Sequence, residues 1–326
     1  MKNKTKKRIL CILIIFSIII CSSCHGIEFE NQKIAKAEEF PIGEVMIFVA
    51  EEKNKYENRF GSDVWNLKNG NGDIFFKDYI VSVSKNFIEQ MMILKLVAVD
   101  LGIVIGNADL EKIKEASKEY YDSLTFADLD YISCTEEEVF DAFRDYHLTR
   151  LVVDNLSKKA STELSISEAK VIKVQYIVFE DREKAEETIE SLKAKGANFA
   201  YFAKTRSLDT DIEMIIKRGD ELSTRFPELF YLSAGQTSEV LQFKNRFYLF
   251  KCIDDYLEKE TEERRLEVLR SMKNAEFNEN YQKYKNEYKI KSNSQYWRTI
   301  DLQQGENCKV NNFEDIYYKY FPKLIK

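Results

Sequence analysis

Histidine and cysteine carry much of the catalytic and metal chemistry of proteins, and this chain of 326 residues has few of either. Its two histidines, His25 and His147, lie far apart, and His147 follows Tyr146 in an amphipathic stretch where it reads as structural. The six cysteines are Cys11, Cys21, Cys24, Cys134, Cys252 and Cys308. Only the last three belong to the body of the chain. They are too scattered for a disulfide framework, and no CxxC occurs beyond Cys24. A single bridge stays open, but such cysteines fit small buried apolar positions. Cys252 has no base partner nearby in sequence, which disfavours a nucleophilic role. No HExxH, no His/Cys cluster and no glycine-rich phosphate loop is present, so no metal or other cofactor is expected.

Cys24 does have a chemical context. Lys2, Lys4, Lys6, Lys7 and Arg8 precede the apolar run Ile9–Ile20, which is too short to span a bilayer as a stable helix. Cys21-Ser22-Ser23-Cys24 follows and resembles a lipobox, in which the cysteine is diacylated and becomes the mature N-terminus; Cys21 departs from the leucine usual there. Two acyl chains hold a protein stably on a membrane where one does not. An ordinary signal peptide cleaved near Ser23 is the competing reading. Residues 25–39 then form a polar tether.

Beyond the leader, 44 basic residues face 55 acidic ones, a net charge of −11. That balance, with no basic run studded by aromatics, excludes nucleic-acid binding, which depends on neutralising phosphates. Three prolines and eleven glycines are few for this length and favour long helices over a loop-rich β fold.

Helical spacing dominates both ends of the body. Phe87, Met91, Leu94, Val97 and Leu101 recur every three or four residues, and Gly102 stops the run. Asn107 is placed to cap Asp109–Ser123, and Thr135 with Glu138 forms a capping box. From Ile172 to Phe179 the pattern becomes β-rich, followed by a helix capped by Asp181 and closed at Lys195-Gly196, a short helix carrying Phe199, Phe202 and Ala203, and a strand Arg246–Ile253. After Asp254 a charged helix runs to about Tyr288 with Leu266, Leu269, Met272 and Phe277 as its apolar face.

Across residues 170–255 the sequence resembles the parvulin rotamase domain found in PrsA- and SurA-type extracytoplasmic foldases. The residues that carry this are the strand Lys173–Phe179, Gly196-Ala197-Asn198-Phe199, Ser207-Leu208-Asp209, Gly219-Asp220-Glu221-Leu222, and Phe230-Tyr231-Leu232-Ser233-Ala234-Gly235-Gln236. Phe40–Trp65 and Tyr281–Trp297 are similar to the outer parts of such foldases. The resemblance implies an α+β protein in which a four-stranded antiparallel sheet with surrounding helices is inserted into a helical chaperone domain. It implies Asp209 beside the substrate amide, Leu222 and Phe226 at the wall of a proline pocket, and Phe230 supporting that wall. The two central-strand positions that the family usually gives to histidine are Tyr176 and Tyr248 here. The stretch from Asp220 to Phe230 is also shortened, which removes part of the pocket wall.

Prolyl isomerisation breaks no covalent bond; its barrier is amide resonance, about 18–20 kcal/mol. A catalyst must hold the ring, strip water from the carbonyl and favour the twisted amide. Two tyrosines could bridge neighbouring strands as two histidines would, whereas a loosely held ring loses the orientation on which the rate depends. Each position also has a plainer reading: Tyr176 and Tyr248 as sheet aromatics, Asp209 as a turn residue, Phe226 and Phe230 as core.

The expected organisation is a signal peptide over 1–24, a tether over 25–39, and a helical region over 40–166. A parvulin-like module over 167–256, a helix over 257–300 that packs back on the helical region, and a tail over 301–326 complete it. The implied function is an extracytoplasmic folding factor of the isomerase type, membrane-tethered through Cys24, acting on unfolded or proline-containing exported chains. The alternative is a non-catalytic chaperone, with Trp65 and Tyr79 as exposed aromatics lining a groove in the helical part. Tyr317, Tyr318, Tyr320 and Phe321 give the tail a surface with which to dock.

Overall fold

Apolar residues at helical spacing fold into a first unit and β-rich runs into a second, in a computed structural model that describes residues 40–68, 72–160, 163–288, 290 and 294–322. The signal peptide, the tether and Cys24 lie outside the described residues. One unit comprises the chain up to Lys159 together with Asn274 onward, and the other spans Ala160–Lys273.

The helical unit is organised around α1 (Ile42–Phe60), whose residues from Val45 to Ala50 are buried in succession. Over that stretch the helix is enclosed on all sides and carries no polar stripe. Packed with it are α2 (Phe76–Leu101), α3 (Asn107–Ser123), α4 (Phe126–Ile132) and α5 (Glu136–Leu156). Gly102 ends α2 in the left-handed conformation at φ 63°. Gly43 lies where α1 meets the start of α5: a Cβ there would fall 2.6 Å from Glu138 Oε2. The capping box of Thr135 and Glu138 forms as expected. Asn107 does not cap α3; it is the first helical residue, and Gly106 holds the cap position without a side-chain bond.

The tail completes this core. Phe313 opens the helix Phe313–Tyr320 and packs against Phe143, Phe48, Tyr146 and Tyr120 at centroid distances of 4.1, 5.1, 5.4 and 5.7 Å. Asp128, capping α4, also accepts the Lys309 and Val310 amides at 2.7 and 3.1 Å. The Tyr317 hydroxyl meets His147 Nδ1 at 2.9 Å. Trp65 does not line an exposed groove: it is 1 % exposed, stacked on Phe76 with its indole N–H donating to Glu57, and Tyr79 is half-buried. Trp65, just beyond the end of α1, thus closes the core instead of facing solvent.

The second unit is a four-stranded antiparallel sheet, β1 (Val171–Phe179), β2 (Glu213–Lys217), β3 (Leu241–Phe243) and β4 (Arg246–Asp254), in the order β2-β1-β4-β3. Period-two alternation gives each central strand two buried faces. One face carries Ile177, Phe179 and Leu249 under the helices Arg182–Leu192 and Phe199–Arg206. The other carries Ile172, Val174, Tyr176, Val178 and Phe250 under Phe226, Leu229 and Phe230. Asp181 occupies the cap position of the first of these helices, but its carboxylate pairs with Lys184 instead, and that helix closes at Leu192 rather than Lys195.

This unit reaches beyond 167–256 because the long helix Glu258–Glu287 begins within it. The Val171 carbonyl accepts the Leu257 amide at 3.0 Å, and the Thr261 hydroxyl accepts the Val171 amide at 3.1 Å. Leu269 is buried on that helix, but Met272 is exposed and outside the apolar face assigned to it; farther on, Phe277 and Tyr281 join the helical unit's core with Leu94 and Val97.

Candidate functional site

The candidate site grows from β1 and β4. Their register places Tyr176 opposite Phe250 and Val178 opposite Tyr248, so the two tyrosines share a face as diagonal rather than direct neighbours. Between them lies Phe250, 5.9 Å from the Tyr248 ring and nearly parallel to it, and 6.4 Å from Tyr176. Phe243 on β3 packs edge-on to Tyr248 at 6.4 Å and to Phe226 at 6.3 Å. The result is one aromatic row crossing three strands.

Asp209 is brought to this row by its own tripeptide. The Leu208 amide donates to the Val178 carbonyl at 3.0 Å, and Ser207 Oγ accepts the Val178 and Asp209 amides at 3.1 and 3.2 Å. Ser207-Leu208 thus acts as a short clamp along β1. The Tyr176 hydroxyl faces the Asp209 carboxylate, and Arg246 Nη1 lies 3.8 Å from Asp209 Oδ1. Burial and the neighbouring Asp209 carboxylate push the Tyr176 hydroxyl above its usual range, so it stays neutral.

Asp209, Tyr176 and Tyr248 are therefore gathered at one end of the sheet. Leu222 is half-buried and packs against the same cluster. Phe226 differs from the expectation of a pocket wall: it is 5 % exposed, and with Phe230, 4 % exposed, it covers the sheet face and offers no open wall. The short connection from Asp220 to Phe230, made of the helix Glu221–Arg225 and the 3₁₀ turn Pro227–Tyr231, presses both rings onto β1 and β4. Sequence reasoning missed Arg246, Phe243 and Phe250. Alternation along β4 could have found the first and last, since 246, 248 and 250 must share a face.

The helical unit holds a different feature, a cavity of about 370 Å³ between the ends of α2 and α5 and the latter part of the long helix. Leu101, Leu156 and Tyr284 supply apolar surface, and Asn155, Glu276, Asn280 and Lys283 supply polar groups. Glu276 accepts the Lys159 amide at 2.9 Å through one oxygen, while its other oxygen is buried without a partner.

Among the described residues no group of three His, Cys, Asp or Glu side chains could hold a metal ion. No described helix is long and apolar enough to cross a membrane. No family model matches the chain, and no curated protein matches it. Solved structures do. PrsA from Bacillus cereus aligns at 18 % identity and a TM-score of 0.40 over 77 % of this chain and 97 % of that one. PrsA from Bacillus subtilis aligns at 19 % and 0.26 over 76 % and 99 %. One of the SurA-like chaperones of Campylobacter jejuni aligns at 15 % and 0.25 over 64 % and 84 %. The chain is similar to PrsA peptidyl-prolyl isomerases and to SurA-like chaperones.

Proposed function

We propose that this protein is an extracytoplasmic folding factor, tethered through Cys24, whose sheet unit engages proline-containing segments of unfolded chains and isomerises them weakly. The observation that carries this reading is the Asp209 carboxylate set beside Tyr176 at the edge of the aromatic row by the Ser207-Leu208 clamp. It offers a set charge beside the place a prolyl amide would occupy. Tyr248, Phe243 and half-buried Leu222 supply the apolar edge against which a ring can rest. Orientation and desolvation of the amide, not proton transfer, supply the acceleration. The burial of Phe226 and Phe230 limits how deeply the ring can sit, and a shallow seat gives a low rate.

A second reading, holding without catalysis, is favoured by that same burial and by the cavity of the helical unit, where Leu101 and Tyr284 adjoin polar anchors. Cis–trans exchange of a short proline peptide, measured by NMR, separates the two. Faster exchange that falls in Asp209→Ala and in Tyr176→Phe places catalysis at the aromatic row. Unchanged exchange, with peptide signals that broaden on binding, leaves a holding protein. Neither acceleration nor binding rejects both readings.

A further inference from the structure

The opposite end of β1 from Asp209 carries three cations around Phe230 and Gly219: Lys170, Arg218 and Arg264. Lys170 precedes β1 and Arg218 follows β2; pairing of Val171 with Lys217 brings the two together, and the Arg218 amide donates to the Lys170 carbonyl at 3.1 Å. Arg264 arrives from the long helix, one turn beyond Thr261, whose hydroxyl is bound to Val171. Its Nη2 is so close to Gly219 that a Cβ there would lie 3.3 Å away.

Each cation is held in place. The Arg218 guanidinium lies over the Phe230 ring, 4.4 Å from its centroid, and Lys170 Nζ donates to the Phe230 carbonyl at 3.2 Å. Arg264 Nη1 is anchored by Glu267 at 2.9 Å. What these contacts leave open is specific: the Nε donors of Arg218 and of Arg264 are both buried with no acceptor. Among the described residues neither Lys170 nor Arg218 forms an ion pair, although Asp254 and Asp255 share the surroundings of Cys252 with Lys170. Elsewhere in this unit Lys173, Lys244 and Arg265 are each matched by a glutamate.

Buried guanidinium donors call for an acceptor, and the planar fork of arginine matches the two oxygens of a carboxylate or phosphate. From this we infer that Lys170, Arg218 and Arg264 form an oxyanion site that takes a carboxylate or phosphate group. Arg218 and Arg264 present the two Nε donors, and Lys170 adds charge. The site is separate from the Tyr176–Asp209 pair and stands whether or not that pair acts on proline. The same chemistry could come from a free ion or from acidic side chains of a bound chain.

The test follows the arginine Nε–H signals of the protein by NMR during titration with inorganic phosphate and, separately, with a proline-free glutamate-rich peptide. The expected result is a saturable shift of two Nε–H signals that disappear in Arg218→Gln and Arg264→Gln, with affinity lowered at least about tenfold in Lys170→Gln and unchanged in Asp209→Ala. A response to phosphate alone assigns the site to the free ion; a response to the peptide, or competition between the two, assigns it to carboxylates of a chain. Absence of a saturable Nε–H shift with either probe in the unsubstituted protein overturns the site. So does a response that Lys170→Gln and Arg218→Gln leave intact.

Discussion

The two units bury polar groups in opposite ways. The helical unit encloses ionisable side chains: Lys53, Glu44, Asp128, Asp145 and His147 are all buried. Among the described residues the polar side chains that the sheet unit buries whole are hydroxyls, those of Thr188, Ser223, Ser238 and Thr261. In the helical unit Lys53, Asp128 and Asp145 join local partners to remote ones. Lys53 donates to Glu57 at 2.9 Å and to the Gly305 carbonyl at 3.2 Å, Asp128 holds the backbone of the tail, and Asp145 pairs with Lys95 and Arg144. In the sheet unit the hydroxyls serve backbone groups, as Thr261 does for the Val171 amide and Ser238 for the Phe250 amide. The first arrangement makes stability depend on the tail and on protonation; the second makes it depend on packing and ladder geometry.

The strongest way to break the contrast is to remove a charge or the ring that seals it. Lys53→Ala leaves Glu57 and the Gly305 carbonyl without their buried donor and is expected to cost about 3–5 kcal/mol. Phe313→Ala removes the ring shared by α1, α3 and α5 and is expected to cost a similar amount, about 3–5 kcal/mol. In both variants hydrogen exchange of β1 and β4 amides should stay close to that of the parent. Loss of protection in the sheet unit of equal size would show that the two units do not respond separately.

A smaller effect is expected from the sheet unit's own buried hydroxyl. Ser238 Oγ accepts the Phe250 amide at 3.0 Å and donates to the Glu239 carbonyl at 2.8 Å. Ser238→Ala leaves the Phe250 N–H bare and should cost about 1–3 kcal/mol, read by denaturant unfolding of the sheet unit, with Tyr317 and His147 signals undisturbed.

Changing pH sharpens the comparison more gently. Burial pushes the Glu51 carboxyl up to about 8, against hydrogen bonds from Tyr120 and Phe313, and pushes Glu44 up to about 8 as well, with the Asp145 charge adding to it. Both carboxyls hold a proton more tightly folded than unfolded, where the ordinary value is 4.5. Their contribution is complete below about 4.5 and is lost as pH rises through about 8. The melting temperature of the helical unit should therefore fall from pH 5 to pH 8, and Glu51→Gln together with Glu44→Gln should flatten the profile. A rise over that range would contradict the sign.

The smallest expected change in stability is that of Tyr176→Phe, below about 1 kcal/mol, because the ring stays packed on Phe250 and only the hydroxyl facing Asp209 is lost. Its value lies in function, since peptide exchange should slow while the fold persists.

Local signals were legible where one residue dictates a local geometry. Gly102 announced the end of α2, Thr135 with Glu138 the start of α5, and the run from Ile172 to Phe179 a strand. They failed where a remote partner decided. Trp65 looks like a surface aromatic in sequence because its partners, Phe76 and the Glu57 carboxylate, belong to other turns. Asn107 could have capped α3, but the chain enters one residue earlier through Gly106. At the candidate site, Asp209 and the two tyrosines were legible as individual positions. The diagonal register was not, and the sequence left Phe226 between core and pocket wall, because cross-strand pairing and the tightness of a short connection are properties of the closed sheet.

By itself, then, the sequence determined a helix-rich α+β chain with an acidic body and a β-rich insert that holds no histidine, because composition and periodicity do not depend on partners. Only the tertiary structure decided that the tail seals the helical core, that Asp209 sits beside Tyr176, and that Lys170, Arg218 and Arg264 gather at the other end of β1. Each of those facts joins residues tens or hundreds of positions apart, and no local pattern encodes which of many remote groups will meet once the apolar faces have closed.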